Sequence, residues 1–335
     1  MKKFFVLLLA LAMVFALAAC GETNTNTETN TQPETQYLTF GASPATASMY
    51  PYWVAVGDTI STIYPEYNIT ISESQGATDI VNRIRAGEVI LGNSISKSDW
   101  QNYAGEGTWD GQPNENARIL WYYDMAVMIG VVPASSDIEC YSDLTGKKVS
   151  TGGTGTTLSS IITSCFEELG VEPNYYEASK GDAQEAFINR QVVYLCSAIG
   201  QPDPFIVQTN ASLEVRYLSF TQEEVDAIHA AFPYISAVTV PAGTYENQTE
   251  DILTIQWLQG CQTSTELSQE DGYKMFKAIY ENQDMWIDTM KSAANNDMIE
   301  MTLSSPIPLH AGAVQYIEEQ GVEVPESLIP PEYTK

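Results

Sequence analysis

The stretch STGGTGTTLSSII, residues 150–162, decides the fold of this chain. A short β-like run, Lys148–Ser150, leads into a loop of glycine and hydroxyl residues, after which apolar residues recur at helical spacing up to Gly170. Such a loop directs free backbone N–H groups and the positive end of the helix dipole at one point. The sequence therefore predicts an anion-binding loop. The residues that we expect to contact the anion are Thr154, Gly155, Thr156 and Thr157.

The N-terminal residues have the pattern of a secretory signal peptide. Lys2 and Lys3 precede an apolar run, Phe4–Ala19, which is short for a transmembrane span. Cys20 follows Leu-Ala-Ala, as the lipid-bearing cysteine does in a bacterial lipobox; the alternative is an ordinary signal with a chance cysteine. We therefore predict a lipoprotein signal peptide over residues 1–19 and lipidation at Cys20.

The segment that follows the signal is polar throughout. Residues 21–36 contain no aliphatic or aromatic side chain, so they cannot bury enough surface to become ordered. We predict that residues 20–36 form a disordered tether, and that the lipid anchor holds the folded part at the membrane, outside the cytoplasm. This location argues against a nucleotide as the anion. The glycine-rich loop also lacks the Lys-Ser/Thr ending of a phosphate-binding P-loop.

The chain is strongly acidic. It has 43 Asp and Glu residues against 15 Lys and Arg residues, a formal net charge of −28. This charge repels nucleic acid, so we expect no nucleic-acid partner. An anionic ligand must then be held by local dipoles and hydroxyl groups, because the field of the whole chain opposes it. A soluble, solvated surface is the simpler interpretation of the acidity itself.

The sequence offers no catalytic or metal-binding pattern. The cysteines after Cys20 are scattered, and the two histidines, His229 and His310, lie far apart without metal-ligand spacing. A nucleophile elbow of the G-x-S-x-G type does not occur. We therefore expect no catalytic residue, no metal and no cofactor, and interpret the protein as a binding protein rather than an enzyme.

Short apolar runs alternate with amphipathic stretches, which predicts an α/β fold. Strands are predicted at 37–40, 69–72, 89–91, 119–122, 126–132, 148–150, 192–198, 214–219 and 253–258. Helices are predicted at 78–86, 158–169, 182–189, 222–231, 269–282 and 311–320, with a further one beginning near Ser48.

Two segments have the composition of crossings between lobes. They are Val132–Ser136 and Ala237–Gly243, each with a proline beside an apolar strand. A chain that leaves one lobe and later returns has a discontinuous first lobe, here residues 37–134 plus 240–335, and a second lobe of residues 135–239. Two crossings also form a hinge, because few backbone dihedrals must change to close the cleft between the lobes.

A second loop, residues 41–50, repeats the chemistry of the first. It follows a predicted strand, carries small and hydroxyl residues, and precedes a helix. Because ligands of open α/β sheets bind beyond the carboxyl ends of the strands, two such loops facing one cleft would hold the ends of a small anion. Both loops have a plainer interpretation as glycine-rich connections with hydroxyl caps. The candidate contacts in this loop are Ser43, Ala45, Thr46, Ser48 and Tyr50.

Two further positions follow apolar strands. Gln201 lies in a Gly-Gln-Pro-Asp-Pro segment, where its amide would bridge the cleft; a proline-punctuated turn is the alternative. Tyr123, between Tyr122 and Asp124 at a strand end, would form the floor of the site; burial as packing is the alternative. Asp124 would repel a carboxylate ligand unless it meets a ligand amine.

Four segments, in this order, carry a family resemblance. They are Phe40–Pro51, Asp143–Thr157, Phe232–Tyr245 and Pro306–Ala313, of which the second reads DLTGKKVSTGGTGTT and the fourth PIPLHAGA. Together they resemble the TAXI family, the extracytoplasmic solute receptors of TRAP-type transporters, over essentially the whole mature chain. The sequence departs from the family pattern at Thr156 and Thr157, where Ser-Gly is usual, and at Gln201, where His is common. These departures bear on which ligand is bound.

The resemblance implies a two-lobed periplasmic-binding-protein fold of type II, with a hinge and an interlobe ligand cleft. It also implies capture of a small organic acid or amino acid, such as a dicarboxylate, glutamate or 2-oxoglutarate, and its delivery to a TRAP-type membrane permease. Two alternatives stay open at this point. One is a binding protein of an ABC importer or sensor system, and the other is an exported enzyme.

Overall fold

The computed structural model describes residues 35–335, with the exception of Thr46 and Ser48. The predicted signal peptide, the predicted lipidation at Cys20 and the tether up to residue 34 lie outside the described residues. Across the described residues, no helix is both long and apolar enough to cross a bilayer. The cysteines in this part of the chain are free thiols, namely Cys140, Cys165, Cys196 and Cys261.

The main sheet has eight strands and is mixed in direction. Its central path runs β2-β1-β3-β10-β4-β7, with β8 paired to β4 and β9 paired to β10; β5 and β6 form a small parallel pair. Strands β1, β2 and β3 are parallel to one another, whereas β10 and β4 are antiparallel to their neighbours. The strands are β1 (Gln36–Ala42), β2 (Tyr67–Glu73), β3 (Leu91–Ile95), β4 (Ala117–Pro133), β5 (Lys148–Val149), β6 (Asn174–Tyr175), β7 (Leu195–Ile199), β8 (Val215–Leu218), β9 (Ser236–Val240) and β10 (Ile252–Ser264).

Helices follow most strands and cover the sheet. Local capping signals fix several of their starts: Thr221 and Glu224 form a reciprocal capping box at one helix, and the Ser268 hydroxyl caps another. The α-helices are α1 (Tyr50–Ile63), α2 (Ala77–Arg85), α3 (Ser96–Ala104), α4 (Thr157–Glu168), α5 (Lys180–Ile188), α6 (Pro204–Ser212), α7 (Gln222–Ala231), α8 (Gln269–Glu281), α9 (Met298–Leu303) and α10 (Ala311–Glu319).

The buried apolar residues divide into two main regions along the chain. The first core draws its fully buried members from residues 40–123 and 258–328, and the second from residues 126–257. Strands β4 and β10 contribute to both, and they pair with each other where they pass from one core to the other. These two strands therefore join the cores directly.

Strand β4 shows why the second core lies on both faces of the sheet. Ala126 and Met128 pack into one cluster, whereas Val127 and Ile129 pack into the cluster on the opposite face. Successive side chains of a strand point to opposite faces, so a strand covered on both sides must be apolar at consecutive positions. The sequence of β4 meets this requirement.

The predicted α/β class is confirmed, and most predicted elements are present. The runs predicted as separate strands at 119–122 and 126–132 are instead one strand, β4, because a bulge near Tyr123 lets the ladder with β10 continue across the polar Asp124. The segment interpreted as a crossing at 237–243 overlaps β9. Helix α3 was not predicted, because its sequence, SKSDWQNYA, is largely polar. The lobe boundaries at 134/135 and 239/240 stay a prediction.

Candidate ligand-binding cleft

A cleft with a volume of about 790 Å³ opens between residues of the first and second cores. We call it the ligand cleft. It is walled by the start of α4, by the segment after β7, by the crossing parts of β4 and β10, and by short helical turns after α8. The residues that line it are Met49, Ile95, Asp124, Ala126, Thr156, Thr157, Leu158, Ala198, Ile199, Gly200, Gln201, Pro202, Pro204, Trp257, Gln259, Thr289, Met290, Lys291, Ser292 and Asn295.

The N-terminus of α4 enters this cleft. The Thr156 hydroxyl oxygen accepts a hydrogen bond from the Ser159 N–H at 3.1 Å and donates one to the Gly153 carbonyl at 2.9 Å, which caps the helix. The N–H groups of the first two helical residues, Thr157 and Leu158, have no partner within the helix itself. Both residues line the cleft, so their amides and the positive end of the α4 dipole are available to an anion.

Two glycines give the loop before Thr156 the backbone conformation that the cap requires. Gly153 has a φ of +116° and Gly155 a φ of +75°, conformations that side-chain-bearing residues rarely adopt. Thr154, between them, points its amide and hydroxyl toward the Ala178 carbonyl, at 3.0 and 3.3 Å. The hydrogen-bonding groups of Thr154 are thus used within the second core, whereas Thr156 and Thr157 face the cleft.

A second cavity of about 400 Å³ adjoins the cleft and shares Ile95, Thr156 and Thr157 with it. Lys97, on α3, is the one charged residue in the lining of this cavity. Its ammonium group donates to the Ser160 hydroxyl of α4 at 2.7 Å and, among the described residues, has no carboxylate within 4.0 Å. Burial lowers the pKa of Lys97. A half-buried cation beside a helix N-terminus concentrates positive potential at this side of the cleft.

Asp124 provides the opposite charge. The residue is 4% exposed, and its carboxylate accepts hydrogen bonds from the Ser292 hydroxyl at 2.7 Å, the Asn296 amide at 3.2 Å and the Met125 N–H at 2.9 Å. Burial raises the pKa of the Asp124 carboxyl, and these three hydrogen bonds oppose the rise. A carboxylate held by neutral donors therefore lines the cleft.

Gln201 also lines the cleft, but its amide bonds to protein groups. The amide nitrogen donates to the carbonyls of Val127 and Ile199, at 3.1 and 3.2 Å, and the amide oxygen accepts from the Tyr245 hydroxyl. Next to it, a Cβ atom at Gly200 would lie only 3.0 Å from the Cβ of Ser292. This short distance shows that the segment after β7 lies close to the turn that contains Ser292. Contact between the Gln201 amide and a ligand stays a prediction.

The loop at residues 41–50 lies mainly behind the cleft wall. Buried Ser43 accepts a hydrogen bond from Asn93 at 3.0 Å, and the Asn93 side-chain oxygen accepts one from the Tyr123 hydroxyl at 3.2 Å. The Tyr123 ring stacks on Tyr52 with 4.0 Å between the ring centroids. Met49 connects this hydrogen-bond network with the cleft. It lines the cleft, and its sulfur lies 3.7 Å from the Tyr123 hydroxyl.

The remaining residues proposed for this loop have other surroundings. The Ala45 amide donates to the Glu73 carboxylate at 3.0 Å, and the half-buried Tyr50 is the first residue of α1. Neither lines the cleft or the adjoining cavity. Thr46 and Ser48 lie outside the described residues. The structure thus brings Thr156, Thr157 and Gln201 together in the cleft and Gly155 beside it.

Sequence reasoning missed three charged or polar residues, one in the adjoining cavity and two in the cleft. Lys97 belongs to a polar helix that the apolar pattern does not reveal, and Lys291 and Ser292 belong to the 3₁₀ turn Lys291–Asn295, which has no periodicity. Asp124 was considered with Tyr122 and Tyr123 at the floor of the site, as a residue that would repel a carboxylate ligand unless it meets a ligand amine. Its position directly after the buried run 117–123 was the available signal, since a carboxylate inside an apolar strand requires a partner.

Comparison with known proteins identifies the family and the fold. The model of the NMT1-like family matches residues 40–321. A putative periplasmic sulfonate-binding protein of an ABC transporter, SsuA from Methylobacillus flagellatus KT, is 10% identical, with 90% of this chain and 93% of that chain covered and a TM-score of 0.53. XAC2383 from Xanthomonas citri, in a structure with bound chloride ion, is 9% identical, with 84% and 99% covered and a TM-score of 0.51. The predicted fold class, the two-lobed type II fold of periplasmic binding proteins, is confirmed.

Proposed function

The chain belongs to the NMT1-like family, and from this premise we propose that it is an extracytoplasmic receptor that captures a small organic anion for a membrane importer. One observation carries the proposal. The N-terminus of α4 opens into a cleft that both cores line, where its Thr157 and Leu158 amides are available to a ligand. A volume of about 790 Å³ suits a small organic molecule.

The charge distribution supports an anionic group on the ligand. The chain as a whole has a net charge of −28, yet Lys97 and the α4 N-terminus supply positive potential at one side of the cleft. A helix N-terminus contributes about 0.3–1 kcal/mol to anion binding, and up to about 2 kcal/mol where it is partly buried. Hydroxyl groups of Thr156, Thr157 and Ser160 surround the same point.

The location follows from the N-terminal sequence. A basic, then apolar, then small-residue pattern ends at Cys20, which supports export and lipid anchoring of the folded part. The described residues add the type II fold of periplasmic binding proteins. We therefore place the receptor outside the cytoplasm, held at the membrane by a lipid on Cys20.

Two kinds of importer are candidates for the partner. The similar structure described as part of a putative sulfonate ABC transporter supports an ABC-type importer, which we propose first. The four sequence segments that resemble TAXI receptors favour a TRAP-type permease as the second candidate. Deletion of each neighbouring permease gene, followed by an uptake assay with the bound solute, separates the two.

The receptor role is tested by binding to the protein that begins after Cys20. A thermal-shift screen of organic acids and amino acids, followed by calorimetry of the hits, is expected to find at least one compound that binds in a one-to-one ratio. Enzymatic turnover of a compound without stable binding would contradict the proposal. So would the failure of every compound to bind.

Thr157→Asp is expected to weaken binding of an anionic ligand at least about 100-fold. A carboxylate at this position places a like charge in the cleft, and two like charges about 4 Å apart repel by about 4 kcal/mol near a protein surface. The substitution does not weaken the helix, because Asp in the first turn favours the α4 dipole. Calorimetry with the ligand from the screen measures the loss.

The matched control is Gln222→Asp. Gln222 is exposed and is the first residue of α7, which also has a threonine cap, so this variant adds the same charge at the same helical position away from the cleft. Its affinity is expected to equal that of the wild type. Equal affinity of Thr157→Asp and the wild type would remove α4 from the binding site.

A further inference from the structure

We propose that Asp124 binds a cationic nitrogen of the ligand, so that the receptor takes an amino-acid-like zwitterion rather than a dicarboxylate without an amine. The inference rests on the proposed receptor function and narrows the class of its ligand. It is drawn from the surroundings of one buried carboxylate in the ligand cleft.

The hydrogen bonds of Asp124 leave one side of its carboxylate unused. An ionised carboxylate has about four lone-pair sites. Three of them receive hydrogen bonds, from the Ser292 hydroxyl, the Asn296 amide and the Met125 N–H. All three donors are neutral. The residue lines the cleft, so the remaining site is the one that a ligand in the cleft would use.

No cation of the described chain neutralises this carboxylate. Asp124 has no Lys, Arg or His nitrogen within 4.0 Å among the described residues, although the neighbouring turn contains Lys291. Asp124 is also the one carboxylate in the lining of the ligand cleft. A buried charge costs several kcal/mol unless a partner of opposite charge offsets it. An ammonium group delivered by a ligand would be that partner.

The cleft then has two poles of opposite sign. Thr157 and Leu158 at the α4 N-terminus form the positive pole, and Asp124 forms the negative one. A ligand with a carboxylate and an ammonium group satisfies both poles. A dicarboxylate satisfies the first but brings a like charge to a buried carboxylate at the second, which electrostatic complementarity disfavours.

A neutral Asp124 is the competing possibility, since burial raises the pKa of its carboxyl group. A protonated Asp124 would donate a hydrogen bond to a ligand oxygen. The two cases differ in the sign of their pH dependence: binding of a cation weakens as pH falls through the pKa of Asp124, whereas binding by the neutral acid strengthens. The other titratable groups near Asp124 are Lys291, Tyr52 and Tyr123, and burial raises the pKa of both tyrosines well above the usual value.

The experiment uses the whole protein after Cys20 and pairs of compounds that differ in one group. L-amino acids and their 2-oxo counterparts, including L-glutamate and 2-oxoglutarate, are compared by calorimetry between pH 4 and pH 8. The amine-bearing member of a pair is expected to bind at least 100-fold more tightly. Its affinity is expected to fall toward pH 4.

Asp124→Asn is the accompanying variant, because the amide has the same shape without the charge. It is expected to lower the affinity for the amine-bearing compound at least 100-fold and to abolish the preference over the 2-oxo acid. Asp284→Asn removes an exposed carboxylate that does not line the cleft, and is expected to bind as the wild type does. Thermal unfolding of both variants verifies that they are folded.

Four outcomes would overturn the inference. If the tightest ligand lacks a cationic nitrogen, the receptor function stands and Asp124 has another role. If Asp124→Asn retains both affinity and preference, the charge of Asp124 does not bind the amine. If affinity rises toward pH 4, the neutral form of Asp124 is the one that binds. If no compound binds at all, the receptor proposal fails and this inference fails with it.

Discussion

Gly312→Ala is expected to destabilise the protein by roughly 3 kcal/mol or more. Gly312 lies in the first turn of α10, and a Cβ atom there would be 2.2 Å from the Tyr273 nitrogen and 2.5 Å from the Gln269 carbonyl oxygen of α8. These are backbone atoms, so no side chain can move aside. Overpacking of this kind costs 1–3 kcal/mol in ordinary cores, and a fixed backbone puts this site at the upper end or beyond.

The same site holds a buried histidine that depends on this close approach. The His310 ring accepts a hydrogen bond from the Gly312 N–H through Nδ1 at 3.2 Å, and its Nε2 lies 2.9 Å from the Leu267 carbonyl, to which it donates. Burial lowers the pKa of His310, which favours this neutral ring. Separation of α10 from α8 would disturb the hydrogen bond to the Leu267 carbonyl, which adds to the cost of Gly312→Ala.

Gly181→Ala is the control for a helical glycine with space around it. The nearest atom to a Cβ at Gly181, in the first turn of α5, is the Ser179 hydroxyl oxygen at 4.0 Å. This substitution is expected to leave stability unchanged or to raise it by up to about 1 kcal/mol. Urea unfolding measures both variants. A similar effect of the two substitutions would show that the contact between α8 and α10 is not responsible.

Asp99 is expected to make the wild type lose stability as pH rises from about 4 to about 7. The residue is fully buried, and burial raises the pKa of its carboxyl group to about 7. An unfolded Asp titrates near 3.9. Between these values the folded state keeps a proton that the unfolded state has lost, so the free energy of unfolding falls as pH rises. The full loss approaches about 4 kcal/mol.

Asp99→Asn isolates this contribution. The carboxyl group receives hydrogen bonds from Tyr122 at 2.6 Å, Gln262 at 2.6 Å and Ser94 at 3.2 Å, and the amide replaces one acceptor oxygen without titrating. The variant is expected to be about 1–3 kcal/mol less stable than the wild type at pH 4. Because it does not share the loss of stability with rising pH, it is expected to be as stable as the wild type or more stable by pH 7. Urea unfolding at pH 4, 5.5 and 7 measures the difference.

Asp58→Asn, at an exposed position of α1, controls for the loss of one charge. Parallel pH profiles for the wild type and Asp99→Asn would contradict the role given to Asp99.

Local signals account for the parts of the fold that the sequence predicts well. Helix α7 has its predicted bounds, and Thr221 and Glu224 define its start within four residues. The α4 N-terminus is also defined locally, since its cap lies beside its glycines. Thr156 and Thr157 were therefore placed at the cleft by neighbours in the chain.

Long-range contacts account for most of what sequence reasoning missed. Asp124 and Ser292 are 168 positions apart, and Lys97 and Ser160 are 63 positions apart, so no periodicity connects either pair. Sequence chemistry also does not show which donors are already used. Gln201 has the groups that a ligand contact requires, yet its amide bonds to carbonyls of its own core and to Tyr245.

The pairing of β4 with β10 has a mechanical consequence. The two strands pass between the cores side by side and are joined by a ladder that extends from Gln256 opposite Val127 to Ser264 opposite Ala117. Sliding or separating the cores would break this ladder, whereas twisting the two-stranded ribbon would not. In such a rotation, the displacement of an atom grows with its distance from the ribbon. Asp124, on the ribbon, would stay nearly still, whereas α4, which lies off the ribbon, would be displaced further.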